Sequence, residues 1–166
     1  ADAIDFRTWD LETLFTEIQA LFDSSLQNGL ILQQTPTLQF EAIITKGKDA
    51  EIYRPTLFDF LSHNALEFYR TPENRITQPA YKFSIDNEQF LTDSKQFSNL
   101  KITSKDSTSL QLQALKVYQD LIKFHLKDKT PYALTELNTE RLDYVYYNAT
   151  FENKDDIYLK ALQTEA

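Results

Sequence analysis

In the stretch "YRPTLFDFLSHNALEFYR", residues 53–70, Asp59, His63 and Glu67 stand four apart. On a helix that spacing lines the three up on one face. Two carboxylates flanking an imidazole suit a metal ion or proton transfer. A helical carboxylate metal site, however, draws ligands from two or more helices, including Glu-x-x-His motifs, and the sequence contains no such motif. The competing reading is a solvated face on which Asp59, His63, Glu67 and Arg70 make contacts one turn apart, with His63 exposed, and it is the preferred one. The second histidine, His125, falls in the middle of an apolar arc near the end of "LQALKVYQDLIKFHL". Paired with a carboxylate it would be a general base. With no nucleophile motif beside it, the preferred reading is a buried, hydrogen-bonded core histidine. Burial disfavours the charged form, so its pKa is expected below the ordinary value unless a carboxylate reaches it.

Other candidates are weaker. Asn64 falls inside the apolar arc of its helix, where a buried amide has to find a backbone partner. Tyr144, Tyr146 and Tyr147 could make a binding surface, although on a short helix tyrosines more often pack the core. "NAT" at Asn148 matches the glycosylation acceptor pattern, which is short and frequent by chance. Only two glycines occur, too few for a dinucleotide or phosphate-binding loop, and no G-x-S-x-G elbow is present. No catalytic, cofactor-binding or metal-ligating residue is therefore assigned, and neither a cofactor nor a bound metal is expected. An enzyme or metal-binding bundle built on Asp59, His63, Glu67 and His125 stays as the alternative.

The elements that would position these residues are helical. In "TWDLETLFTEIQALFDSSLQNG" the apolar residues Leu11, Leu14, Phe15, Ile18, Leu21, Phe22 and Leu26 form a single stripe, which predicts an outer helix over about 8–28. Thr8 or Asp10 is its expected cap, and Gly29 its left-handed end. Residues 36–47 carry both strand and helix periodicity, and Pro36 and Gly47 favour a short helix. A central helix is expected over 56–70, opened by Thr56 with Asp59 three residues on, a capping box with a shorter acid. Its apolar arc runs from Phe60 through Leu57, Leu61, Ala65 and Phe58 to Tyr69, with Asp59, His63, Glu67 and Arg70 opposite.

From Thr71 to about Lys105, prolines and polar turn formers predict a long, partly extended connection, anchored by Tyr81, Phe83 and Phe90 and with room for a short helical turn, that either packs over the helices or carries function. It is also the expected site of first proteolytic nicking. A second long helix is expected over 107–127, capped by Ser107 or Ser109. Two shorter pieces follow, "NTERLDYVYYNAT" and "KDDIYLKALQTEA", with a turn at 152–154. The result is an all-α domain over residues 1–166, an irregular bundle or short solenoid-like array with two long helices and a buried central one.

Composition narrows function further. The formal charge of −8 with no basic block argues against nucleic acid and against anionic membrane surfaces. No apolar run approaches the roughly 18 residues of a membrane span. Cysteine is absent, so a disulfide framework, a thiolate zinc site and a cysteine nucleophile are all excluded. Methionine is absent too, from which a segment removed upstream is expected.

The elements "YRPTLFDFLSHNALEFY", "PAYKF", "LQALKVYQDLIKFHL" and "RLDYVYYNAT...KDDIYLKAL" together resemble the N-terminal helical region of large bacterial proteins of the alpha-2-macroglobulin family. The resemblance spans most of residues 6–163 through apolar and aromatic patterns. It implies a module preceding macroglobulin-like domains in an exported protein of the bacterial cell envelope or periplasm. Its partners would be other domains of the same chain or an envelope protein. The bait region and Cys-Gln thioester associated with that family have no counterpart here, so no functional residue carries over. The expected role is a non-catalytic docking or spacer module.

Overall fold

The computed structural model describes residues 5–45, 47–72 and 81–165. Among them, eight α-helices form a compact bundle with no β-strand. They are α1 (Leu11–Leu26), α2 (Gly29–Gln34), α3 (Ala50–Tyr53), α4 (Leu57–Tyr69), α5 (Ser94–Asn99), α6 (Leu110–His125), α7 (Tyr132–Asn148) and α8 (Lys154–Glu165). The all-α expectation holds, in its bundle form rather than as a solenoid.

Helix α1 starts where Asp10 accepts the Thr13 N–H at 2.8 Å, an N-cap that satisfies one of the free donors of the first turn. Its stripe lies on α4, with the Phe15 and Phe22 rings 5.3 and 5.6 Å from Phe68. No residue of α1 is fully buried, as an outer helix requires. Gly29 does not end it. The Gln27 N–H closes the last turn on Ser24 O, the chain re-enters a helix at once, and Gly29 opens α2 without a left-handed backbone. The short helix expected near residues 36–47 is a 3-10 turn at Thr37–Phe40.

The capping box of α4 is present. Thr56 Oγ1 accepts the Asp59 N–H at 3.4 Å, and Asp59 Oδ2 accepts the Thr56 N–H at 2.9 Å. Just before it, the chain is stitched to the end of α2. Thr37 N–H donates to Pro55 O at 3.0 Å and Leu57 N–H to Thr35 O at 2.8 Å.

The buried face of α4 is not the expected one. Phe58, Asp59, Ser62, Ala65, Leu66 and Tyr69 are buried, whereas Leu57, Phe60, Leu61 and Phe68 are half-buried and Asn64 is exposed. Burial is thus rotated by about 100°, one residue step of the helix, towards Asp59. The expectations of a solvated Asp59 and a buried Asn64 are both corrected. The cause is α6, which packs along this side of α4 with Leu121, Ile122 and His125 buried and the Phe124 ring edge-on to Phe58 at 5.6 Å.

Residues 81–105 form a connection packed over the helices through its aromatics, the first of the two alternatives expected for it. Phe83, Ile85, Phe90, Leu91 and Phe97 are all buried, a 3-10 turn spans Glu88–Leu91, and α5 follows. Of the expected anchors, Phe83 and Phe90 are buried while Tyr81 is 58% exposed. The nicking expectation loses its basis over 81–100, and residues 73–80 lie outside the described set. Helix α6 is capped by Ser109, but α7 begins at Tyr132, six residues before the expected Asn138. It is the longest helix among the described residues, which therefore hold three long helices, not two. Arg141, fully buried, ties α7 to the α5 region by donating to Phe90 O at 2.7 Å and Thr92 O at 2.9 Å.

Candidate functional site

The sequence-singled residues Asp59, His63 and His125 do meet, in a polar cluster where the end of α3, α4, the C-terminus of α6 and α7 come together. His125 is 2% exposed and Asp59 0%. His125 Nε2 lies 2.7 Å from Asp59 Oδ1, and Nδ1 lies 2.7 Å from Asp128 Oδ2. Ionised carboxylates only accept hydrogen bonds, and imidazole donates from both nitrogens only when protonated. The geometry therefore describes an imidazolium held between two carboxylates. Burial pulls the His125 pKa down, but hydrogen bonding to Asp59, the Asp59 charge, and then the same contributions from Asp128 outweigh it, and the value is raised. The downward shift expected from burial alone gives way to the carboxylates that reach the ring.

His63, one turn along α4 from Asp59, is also largely enclosed, its side chain 9% exposed and Nδ1 3.9 Å from Glu140 Oε2. This corrects the exposed placement. Burial, then the nearby Arg54 guanidinium, lowers its pKa to about 4, against the opposing pull of Asp59, so it is neutral at neutral pH. The two histidines, one on α4 and one on α6, are thus shifted in opposite directions from the ordinary value. Glu67 is exposed and does not join them.

Around this pair sit charges that the sequence reading missed. Glu140 on α7 accepts from the Arg70 guanidinium and from the Tyr118 hydroxyl at 3.3 Å. Glu136, one turn earlier, faces Arg54 at 3.7 Å. Burial raises the Glu136 pKa, Arg54 opposes that, and the like charge of Glu140 adds to it. Only Asp128 had a local signal, standing three residues after His125 across a helix end. Arg54, Glu136 and Glu140 come from distant segments, and no spacing announces them.

Chemically the cluster is closed. A general base needs a nitrogen free to reach substrate, and both nitrogens of His125 are engaged inside the protein. A metal ligand needs a ring nitrogen with a free lone pair, and both nitrogens of His125 already face carboxylate oxygens at 2.7 Å. Among the described residues, no group of three or more His, Cys, Asp or Glu side chains is arranged to hold a metal ion. An open depression lined by Glu41–Thr45 contains none of the cluster residues.

The tyrosines divide. Tyr144 is buried, Tyr146 stacks on Tyr158 with centroids 4.5 Å apart, and Tyr147 is 78% exposed. Asn148 donates to Tyr144 O at 2.8 Å, so its amide is engaged within its own helix.

A second candidate is a surface. None of the described residues between 5 and 53 is buried. Ten of the fifteen large exposed hydrophobic side chains among the described residues fall in that segment, including Leu21, Leu30, Ile31 and Ile43. Leu14 and Leu21, seven residues apart on α1, flank the stripe that packs on α4, so exposed apolar surface continues the buried one.

Comparison with known proteins finds no match: no family model, no curated protein and no solved structure is similar to this chain.

Proposed function

We propose that the protein is a non-catalytic helical docking module whose N-terminal layer, residues 5–53, binds a protein surface that is apolar at its centre and basic at its rim. The observation that carries the reading is the concentration of exposed Leu, Ile and aromatic side chains in a segment that buries none of its own residues. Isolated exposed apolar residues need no explanation, but a concentration of them marks an interaction site. The charge of the same segment gives the partner's chemistry. Residues 5–53 hold eight acidic and three basic residues, −5 of the chain's net −8, so a basic rim is the complementary one. The resemblance to the alpha-2-macroglobulin family, which rests on the residue patterns quoted above, supplies the setting of a larger exported envelope protein. The enzyme alternative gains nothing from the cluster, because His125 has no free nitrogen and Glu67 stands apart.

Photo-cross-linking side chains placed at Leu21, Leu30 and Ile31, in the cells that make the protein, should give a discrete adduct with a protein. The same side chain at Tyr147 should give none. The purified partner should bind more weakly as salt rises, and Leu30→Asp should reduce its affinity roughly tenfold or more. Absence of an adduct, equal adducts from both positions, or binding indifferent to Leu30→Asp would overturn the proposal.

A further inference from the structure

One carboxylate joins two structural units. Asp59 Oδ1 meets His125 of α6, and Asp59 Oδ2 accepts from both the N–H and the hydroxyl of Thr56, at 2.9 and 2.7 Å. Thr56 in turn sits inside the stitch between 35–37 and 55–57, closed by Leu57 N–H to Thr35 O and Thr37 N–H to Pro55 O. The N-terminal layer thus reaches the α6 end of the core through Asp59. We propose that the Asp59–His125–Asp128 triad is a pH-sensitive latch that holds the N-terminal layer on the helical core and loosens as pH rises.

The groups facing His125 support this direction. From α4 come Asp59 and His63, from the turn after α6 Asp128, from α7 Glu136, and from the end of α3 Arg54, which pairs with Glu136. His63 is neutral near pH 7 and does not replace the imidazolium charge. When His125 loses a proton, one nitrogen must present a lone pair to a carboxylate. Asp128, about a third exposed, can turn to water. Asp59, fully buried, cannot, and loses the positive charge that compensates a carboxyl group in a dry site.

The sign follows from linkage. The folded His125 pKa is raised, so its stabilisation is complete below the ordinary histidine value, roughly 6.5. It is lost as pH climbs from there through the folded value. The latch does not depend on what the layer binds, so its test and the docking test fail separately.

Amide hydrogen exchange on the whole chain, followed with the His125 ring-proton titration, tests it. Protection at Leu57 and Thr37 should fall about tenfold per pH unit between roughly 6.5 and the His125 midpoint, then level off. Leu121 and Leu142, fully buried in the core, open only with the whole fold, so their protection should fall by the same factor from a higher level. Asp128→Asn, a change at a partly exposed side chain, should lower the His125 midpoint by about one unit and shorten the falling range to match. The proposal is overturned if Leu57 and Thr37 are as protected as Leu121 and Leu142 at every pH, or if their protection does not fall over that range. It is equally overturned if Asp128→Asn moves the midpoint and leaves the exchange profile unchanged.

Discussion

Asp59→Ala is expected to destabilise the protein by about 3–5 kcal/mol, because removing one partner of a buried ion pair strands the other. Asp59 is fully buried and serves three partners at once: His125, and the amide and hydroxyl of Thr56. Against a typical total stability of about 5–15 kcal/mol, that loss leaves a marginal fold. Denaturant unfolding at neutral pH measures it. Coupling is the sharper part of the expectation. In a His125→Gln background the same replacement should cost at least about 1 kcal/mol less, since no buried imidazolium remains to be stranded. Strict additivity of the two changes would mean that the 2.7 Å contact contributes little, and the latch would lose its energetic basis.

Arg141→Met is the second large expectation. The guanidinium is fully buried on α7, its face lies 4.5 Å from the centre of the Phe97 ring, and its donors meet Phe90 O, Thr92 O and Asn138 Oδ1. Burial lowers its pKa to about 10 against the pull of Glu165 and Asp93, a mark of how strongly the site is desolvated. Methionine fills much of the same space but orphans the acceptors, at about 1–3 kcal/mol each where buried. Relief of the desolvated charge offsets part of this, so a net loss of about 2–3 kcal/mol is expected. Exchange protection should drop most at Phe97 and Leu100, whose amides close α5 on Asp93 O and Phe97 O. A loss spread evenly over the molecule would contradict the view of Arg141 as the local anchor of this segment.

How much of this was legible in the sequence depended on whether the signal was local. The Thr56–Asp59 capping box, the Asp10 and Ser109 caps and the outer stripe of α1 are decided by neighbours in the chain, and each was readable. The buried polar face of α4 was not. A helical wheel assigns the polar side to water by default, and Asp59 is buried only because α6 delivers His125 from 66 residues away. A charged side chain is admitted to a core when its partner is supplied there, and periodicity carries no information about partners supplied from elsewhere. His125 itself was placed correctly, since its position in the α6 arc is local, while its charge state hinged on the same distant carboxylate.

Helix α7 failed for a related reason. It touches α3, α6 and α8, so it buries Asn138 and Arg141 together with Leu137, Leu142 and Val145. Polar residues interrupt the stripe that would have announced its first two turns. The start at Pro131 was the overlooked cue, proline being favoured where a helix begins. In residues 81–100 the turn formers sit in short helical turns, and the alternation at Phe83 and Ile85 reflects burial together with a single parallel bridge from Ile85 to Ala149.

The central claim is that the polar cluster is a closed structural element, with His125 fixed as an imidazolium, and that interaction is left to the N-terminal layer. Nitrogen NMR of the two histidines at pH 7 tests it most directly. Both ring nitrogens of His125 should be protonated, and His63 should be neutral, taking up its proton only near pH 4. A neutral His125 at pH 7, with one nitrogen unprotonated, would contradict the claim and return that ring to the list of candidate bases.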